Sequence, residues 1–78
     1  MLLTSIMATW LFQLARNQLK GTVEEVLFGN VMAHVVVSVG DNVIESAITR
    51  RSAEELQLKK GDTVIAIIKS TDVMIQKD

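Results

Sequence analysis

The apolar positions of this 78-residue chain follow two different spacings. Residues 1–15 carry no charged side chain, and their large apolar residues recur at helical intervals, at Leu3, Ile6, Met7, Trp10, Leu11 and Leu14. This spacing predicts a short amphipathic helix whose apolar stripe packs on the domain or on a neighbouring subunit. From Leu19 onward, short β-branched runs separated by turn residues are typical of strands.

Glycine and polar residues divide the second region into five predicted strands and one helix. The strands are expected at 19–27, 31–39, 43–49, 63–68 and 73–76, with turns at 28–30, 40–42 and 59–62. Residues 50–58 predict a short helix, in which Ser52 is a candidate cap and Glu55 completes a capping box. Leu56 and Leu58 are expected to anchor this helix to the sheet.

Three strands, a helix and two strands suit a small closed barrel of the OB type. We therefore predict a mainly β fold: a five-stranded OB-like barrel with one short helix between strands 3 and 4. The barrel domain is expected at 15–78, after an apolar, helical N-terminal extension at 1–14. Strand 63–68 is apolar on both faces, so one face should fill the barrel and a helix or another subunit should cover the other.

The composition predicts association between chains. A domain of this size is marginal alone and is usually stabilised by disulfides, a metal or association. The chain has no cysteine and a single histidine, His34, which argues against disulfides and zinc sites. Since 49% of the residues are hydrophobic, oligomerisation is the favoured way to bury the surplus.

Several classes of function are disfavoured by the charge and the motifs. The net charge of −1 lacks the basic excess of nucleic-acid binders. The apolar N-terminal run is too short to span a membrane and lacks the positive start of a signal peptide. The carboxylates of Glu24-Glu25 and Glu54-Glu55 are adjacent, so they diverge, and His34 has no nucleophile at a recognisable spacing. We expect a binding protein without enzymatic activity.

Hydrogen-bond donors gather at the ends of the predicted elements. The groups are Arg16 with Asn17, Thr49 with Ser52, and Lys69 with Ser70 and Thr71. A tetrahedral dianion has four acceptor oxygens and no proton to give, so its site needs N–H and O–H donors and cations but no carboxylate. Thr49 and Ser52 also lie at a helix start, where free N–H groups favour an anion.

Three blocks of sequence resemble the molbindin, or TOBE domain, family. They are Ala15-Arg16-Asn17-Gln18-Leu19-Lys20-Gly21, then 47–62 with Ala47-Ile48-Thr49-Arg50-Arg51-Ser52, then 66–74 with Ile68-Lys69-Ser70-Thr71. The resemblance runs from about residue 14 to residue 78, and the blocks occur in the family's order. One departure is Leu14, which stands where the family signature usually has a serine donor.

The resemblance implies an OB-like barrel and, in free-standing members, a homohexamer arranged as a trimer of dimers. It implies molybdate or tungstate bound between subunits, for molybdenum storage or homeostasis in the cytoplasm. By position, the oxyanion ligands would be Arg16, Thr49, Ser52, Lys69 and Ser70.

Two other functions remain open. TOBE-like domains also occur in transporter ATPases and molybdate-responsive regulators, so the chain could be a structural or regulatory module without a high-affinity anion site. OB barrels can bind single-stranded nucleic acid, but such sites need aromatic platforms, and this chain has only Trp10, Phe12 and Phe28.

Overall fold

The computed structural model describes residues 17–78, which form four strands, one α-helix and a 3-10 turn. The elements are β1 (Asn17–Phe28), β2 (Met32–Val39), β3 (Asn42–Thr49), α1 (Arg50–Glu55), β4 (Thr63–Ile68) and the 3-10 turn (Ser70–Asp72). One compact unit is Leu19–Ala66, and a second contains residues 17–18 and Ile67–Asp78. The predicted N-terminal helix, the boundary after residue 14, and Arg16 all lie outside the described residues.

The strands form one sheet in the order β3-β2-β1-β4, and β2 is antiparallel to both β1 and β3. The β2–β3 hairpin is closed by the two residues Gly40 and Asp41, since Val39 pairs with Asn42. Gly40 has φ +59°, as the first central position of a type II′ turn requires. This confirms the predicted meander.

A β-bulge at Glu24 interrupts the pairing of β1 with β2. Val23 pairs with Val37, but the next pair is Glu25 with Val36, so Glu24 is an extra residue on β1. The bulge allows Val23 and Val26 to contact the same core although they lie three positions apart. In a regular strand, residues three positions apart face opposite sides, so the spacing of these two valines reflects the bulge.

The core lies within Leu19–Ala66 and is built from valines of the two central strands. Val23 is fully buried, and Val35 and Val37 alternate with half-buried residues along β2. Partly buried side chains packed around them are Val26, Val39, Ile48, Leu58 and Val64. The alternation confirms that one face of β2 is the core face.

The prediction of a fifth strand at 73–76 was wrong. After the 3-10 turn the chain adopts no regular structure, and Met74 and Ile75 are 94% and 88% exposed. A strand requires a neighbour for its N–H and C=O groups, and nothing within residues 17–78 pairs with this segment. The described residues therefore form a four-stranded sheet, in place of the predicted five-stranded closed barrel.

Helix α1 ends three residues before the predicted position. Gln57 has φ +53°, which is the left-handed conformation that terminates helices. The amides of Gln57 and Leu58 donate to the carbonyls of Glu54 and Ala53, at 3.0 and 3.2 Å, in the pattern of a Schellman motif. Leu58 then packs on the core as predicted, whereas Leu56 is 66% exposed and anchors nothing.

The turn before β4 is held by its own side chains. Asp62 Oδ2 accepts a hydrogen bond from the Lys59 amide at 3.0 Å, and its Oδ1 lies 3.4 Å from the Lys59 ammonium. Two backbone hydrogen bonds join this turn to β1. The Val23 amide donates to the Asp62 carbonyl, and the Val23 carbonyl accepts from the Gly61 amide, both at 2.8 Å. The predicted turn at 59–62 is thereby confirmed and tied to the buried core.

Candidate functional site

Thr49 and Ser52 are in direct contact at the start of α1. Thr49 has extended backbone angles, and its Oγ1 accepts the Ser52 amide at 3.1 Å. The same hydroxyl donates to Ser52 Oγ at 2.8 Å. The helix cap is therefore Thr49, and the predicted capping box with Ser52 and Glu55 was wrong. Glu55 instead pairs with Arg51 at 3.2 Å.

The cap leaves one hydroxyl proton available. Thr49 and Ser52 each have one O–H, and one of the two protons is used in the hydrogen bond between them. As the bond is oriented, Ser52 Oγ accepts, so its own O–H is free to donate to an external acceptor. Ser52 is half-buried and Thr49 exposed, so solvent reaches this donor pair.

The backbone adds one donor beside the Ser52 hydroxyl. The Arg50 amide is bonded to the Val31 carbonyl at 2.7 Å, and the Ser52 amide to Thr49. The Arg51 amide, which lies between them, has no acceptor within the helix because it belongs to the first turn. Free N–H groups were expected at this helix start, but residue type alone does not single out the Arg51 amide.

Lys69 and Ser70 lie together at the 3-10 turn that follows β4. Lys69 occupies the position before the turn, and its carbonyl accepts the Asp72 amide at 2.9 Å. The residue before Lys69 is held by Asn17, whose Nδ2 donates to the Ile68 carbonyl at 3.3 Å. Lys69 is exposed, and its ammonium makes no ion pair with the residues the structure describes.

The structure thus brings the five predicted ligands together only in part. Thr49 touches Ser52 in the unit Leu19–Ala66, and Lys69 adjoins Ser70 in the other unit. Arg16 lies outside the described residues. Each pair is rich in donors and stands at the end of a strand, as predicted.

Two of the groups considered as catalytic residues, Glu54 and His34, have structural partners. Glu54 pairs with Arg50 at 3.3 Å, and His34 Nε2 lies 2.8 Å from Glu45 Oε1 on the exposed face of the sheet. Glu24 is the bulged residue next to Glu25. No group of three metal-ligating His, Cys, Asp or Glu side chains occurs within residues 17–78.

An open groove of about 600 Å³ contains none of the predicted ligands. Its lining residues are Glu24, Glu25, Val26, Phe28, Leu58, Lys59 and Lys60. Among the helices of the described part, none has the length and apolar character needed to cross a membrane.

The fold and the site define a class of protein. Its members are antiparallel β domains with one short capped helix and with hydrogen-bond donors at the strand ends. A model of the TOBE domain family matches residues 14–75. The chain belongs to the TOBE domain family, and the resemblance to molbindins is confirmed.

Two relatives and one solved structure show the range of the similarity. Molybdenum-pterin-binding protein 1 of Clostridium pasteurianum is 52% identical over 62 residues, covering 78% of this chain and 91% of that protein. A molybdate binding protein from Sporomusa ovata has a TM-score of 0.79 and 38% identity, covering 81% of this chain and 94% of the other. The transcriptional regulator ModE of Yersinia pestis is 41% identical over 66 residues, which is 82% of this chain but 25% of the regulator.

Proposed function

We propose that this protein binds molybdate or tungstate, as an intact oxyanion, in sites that lie between subunits. The observation that carries the proposal is the Thr49–Ser52 pair, which presents a free hydroxyl proton from a helix cap in a TOBE domain. Relatives of similar length are named for binding molybdenum-pterin or molybdate, which supports this choice of ligand.

The chemistry of the candidate ligands suits a tetrahedral dianion. Ser52 and Ser70 supply hydroxyl donors, Thr49 holds Ser52 in place, and Lys69 and Arg16 supply positive charge. Each charge-assisted hydrogen bond contributes about 1.5–3 kcal/mol. Binding is reversible, and the protein is a carrier or store rather than an enzyme.

The same donor set discriminates among anions. Hydrogenphosphate carries a proton that needs an acceptor, so a pocket made of donors excludes it. Sulfate has no such proton, and its exclusion depends on the smaller size of the ion. We therefore expect molybdate and tungstate to bind more tightly than sulfate, and sulfate more tightly than phosphate.

Self-association is part of the proposal. Several large apolar side chains are exposed in the single chain, among them Ile65 at 58% and Ile67 at 63%. They lie on the outward face of β4, whose other face is half-buried. Exposed apolar side chains of this kind are suited to cover by a second subunit. We propose a homohexamer, arranged as a trimer of dimers, that stores molybdenum in the cytoplasm.

Native mass spectrometry with and without molybdate tests this function. The expected result is a hexamer whose mass rises by whole numbers of oxyanions when molybdate is added. A monomer that takes up none of molybdate, tungstate or sulfate would refute the proposal.

A second candidate is a regulatory or structural module without a high-affinity site. The similarity to one quarter of the Yersinia pestis regulator favours it, since such a domain can serve a longer protein. The two candidates differ in one variant: Lys69→Ala should weaken anion binding about tenfold or more in the first case. If Lys69→Ala leaves both anion affinity and oligomeric state unchanged, the second candidate is favoured.

A further inference from the structure

Arg50 makes contacts on two sides of the helix start. On the helix side, its Nε lies 3.3 Å from Glu54 Oε1. On the other side, its Nη1 donates to the carbonyl of Gly29 at 3.2 Å, and its guanidinium carbon stands 5.6 Å from the centre of the Phe28 ring. Phe28 ends β1, and Gly29 begins the β1–β2 loop (residues 29–31).

The backbone of Arg50 contacts the same loop. Its amide donates to the Val31 carbonyl at 2.7 Å, so one residue bonds to both ends of the three-residue loop. The loop itself is closed by the Gly29 amide, which donates to the Met32 carbonyl at 2.7 Å. Arg50 directly follows Thr49, and therefore links this loop to the helix cap.

Arg51 provides a natural comparison. It lies one position further along α1 and makes the same type of i,i+4 pair, with Glu55 at 3.2 Å. Its side chain is 89% exposed, against 44% for Arg50, and its only ion pair within residues 17–78 is the one to Glu55. The two arginines share their charge and the type of i,i+4 pair, and they differ in the link to the loop.

We infer that Arg50 is a positioning residue for the anion site: it fixes the start of α1 against the β1–β2 loop and so orients the Thr49–Ser52 donor pair before a ligand arrives. This inference rests on the proposed function. A six-residue helix has little stability of its own, so its first turn needs an external support. Donors held in place by such a support lose less conformational entropy when an anion binds.

The geometry requires an arginine at this position. The planar guanidinium directs donors towards Gly29 and Glu54 at once, while its central carbon lies over the Phe28 ring. A lysine ammonium can satisfy the ring or one oxygen, but it cannot reproduce the fork. Arg50→Lys should therefore restore part of the effect that is lost in Arg50→Ala.

The test combines amide hydrogen exchange with molybdate titration. Arg50→Ala, Arg50→Lys and Arg50→Met are compared with the matched control Arg51→Ala, in the full chain. Met retains an apolar stem over Phe28 and removes the donors, so it separates loss of packing from loss of hydrogen bonds. Exchange at the Ser52 amide, measured without ligand, reports on the cap directly because this amide is bonded to Thr49.

The expected result is a Ser52 amide that exchanges about five- to tenfold faster in Arg50→Ala and Arg50→Met, since one or two net hydrogen bonds are lost. The molybdate Kd should rise by a similar factor, with Arg50→Lys intermediate. Arg51→Ala is the control for exchange alone: it keeps the Arg51 amide and loses an exposed ion pair, so Ser52 exchange should stay within about twofold of wild type. Equal effects of Arg50→Ala and Arg51→Ala on exchange would overturn the inference. If wild type binds no oxyanion, the proposed function fails, whereas the exchange data still decide whether Arg50 supports the cap.

Discussion

The hydroxyl oxygens of Thr49 and Ser52 lie 2.8 Å apart, and the amide of Ser52 donates back to Thr49 at 3.1 Å. Two hydrogen bonds between the same two residues hold the Ser52 side chain in a defined position. Thr49 therefore caps the helix, and Ser52 keeps a hydroxyl proton that this pair of bonds does not use.

This division of roles predicts different effects for the two alanine variants. Ser52→Ala removes the free donor but keeps the amide that Thr49 accepts, so it should weaken oxyanion binding about tenfold or more with little change in stability. Thr49→Ala removes the cap and should lower the free energy of unfolding by about 1 kcal/mol as well. Calorimetric titration and urea denaturation separate the two effects. Ser46→Ala, in the middle of β3, is the control for a serine outside the site.

Lys69 should contribute charge to the site. Lys69→Gln keeps a polar side chain of similar length and removes the positive charge. We expect the molybdate Kd to rise about tenfold, and the dependence of Kd on salt to become weaker because one charge no longer attracts the anion. The control is Lys60→Gln, which changes the net charge equally in the turn before β4. Equal effects of the two variants would argue against a role for Lys69 in the site.

The end of α1 can be stabilised by a single change. Gln57 adopts φ +53° at the position of the Schellman motif that glycine usually fills. Gln57→Gly should therefore raise the free energy of unfolding by about 0.5–1 kcal/mol, because it relieves this backbone strain. Gln57→Ala, which keeps a Cβ, should give no gain. A destabilised Gln57→Gly protein would show that the side chain of Gln57 contributes more than its backbone costs.

Two glycines should fail for different reasons. A Cβ on Gly21 would clash with the Ser38 carbonyl oxygen, whereas a Cβ on Gly40 would meet nothing within 4 Å. Gly21→Ala should therefore cost about 1–3 kcal/mol or more through overpacking. Gly40→Asn has space but is strained by the positive φ, so it should cost about 1 kcal/mol through the backbone alone. Urea denaturation of Gly21→Ala, Gly21→Asn and Gly40→Asn distinguishes a lack of space from a backbone requirement.

Elements bounded by strong turn signals could be predicted from the sequence. Strand β4 was predicted at its observed bounds because Gly61 and Asp62 end the preceding turn and an apolar run follows. The β2–β3 hairpin was predicted for the same reason, since Gly40 suits the turn. In these cases neighbouring residues alone determine where the element begins and ends, and contacts with distant residues do not change it.

Features that depend on a partner could not be predicted. Residues 73–76 have the composition of a strand, but strand formation needs a neighbour, which residue types do not specify. Both Thr49 and Ser52 are suited to capping, and Ser52 was the predicted cap. In the structure the helix starts at residue 50, where the Arg50 amide donates to the Val31 carbonyl, so the cap is Thr49. The support that Arg50 gives the site likewise depends on Phe28 and Gly29, which lie more than twenty positions away.

We propose that this chain binds a molybdenum or tungsten oxyanion through a pocket of donors. The decisive measurement is calorimetric titration of the wild-type protein with molybdate, tungstate, sulfate and phosphate, with Ser52→Ala and Lys69→Gln titrated in parallel. We expect saturable binding of molybdate and tungstate, weaker binding of sulfate, none of phosphate, and a loss of affinity in both variants. Absence of heat with molybdate and tungstate, or equal affinity in all three proteins, would rule out this site.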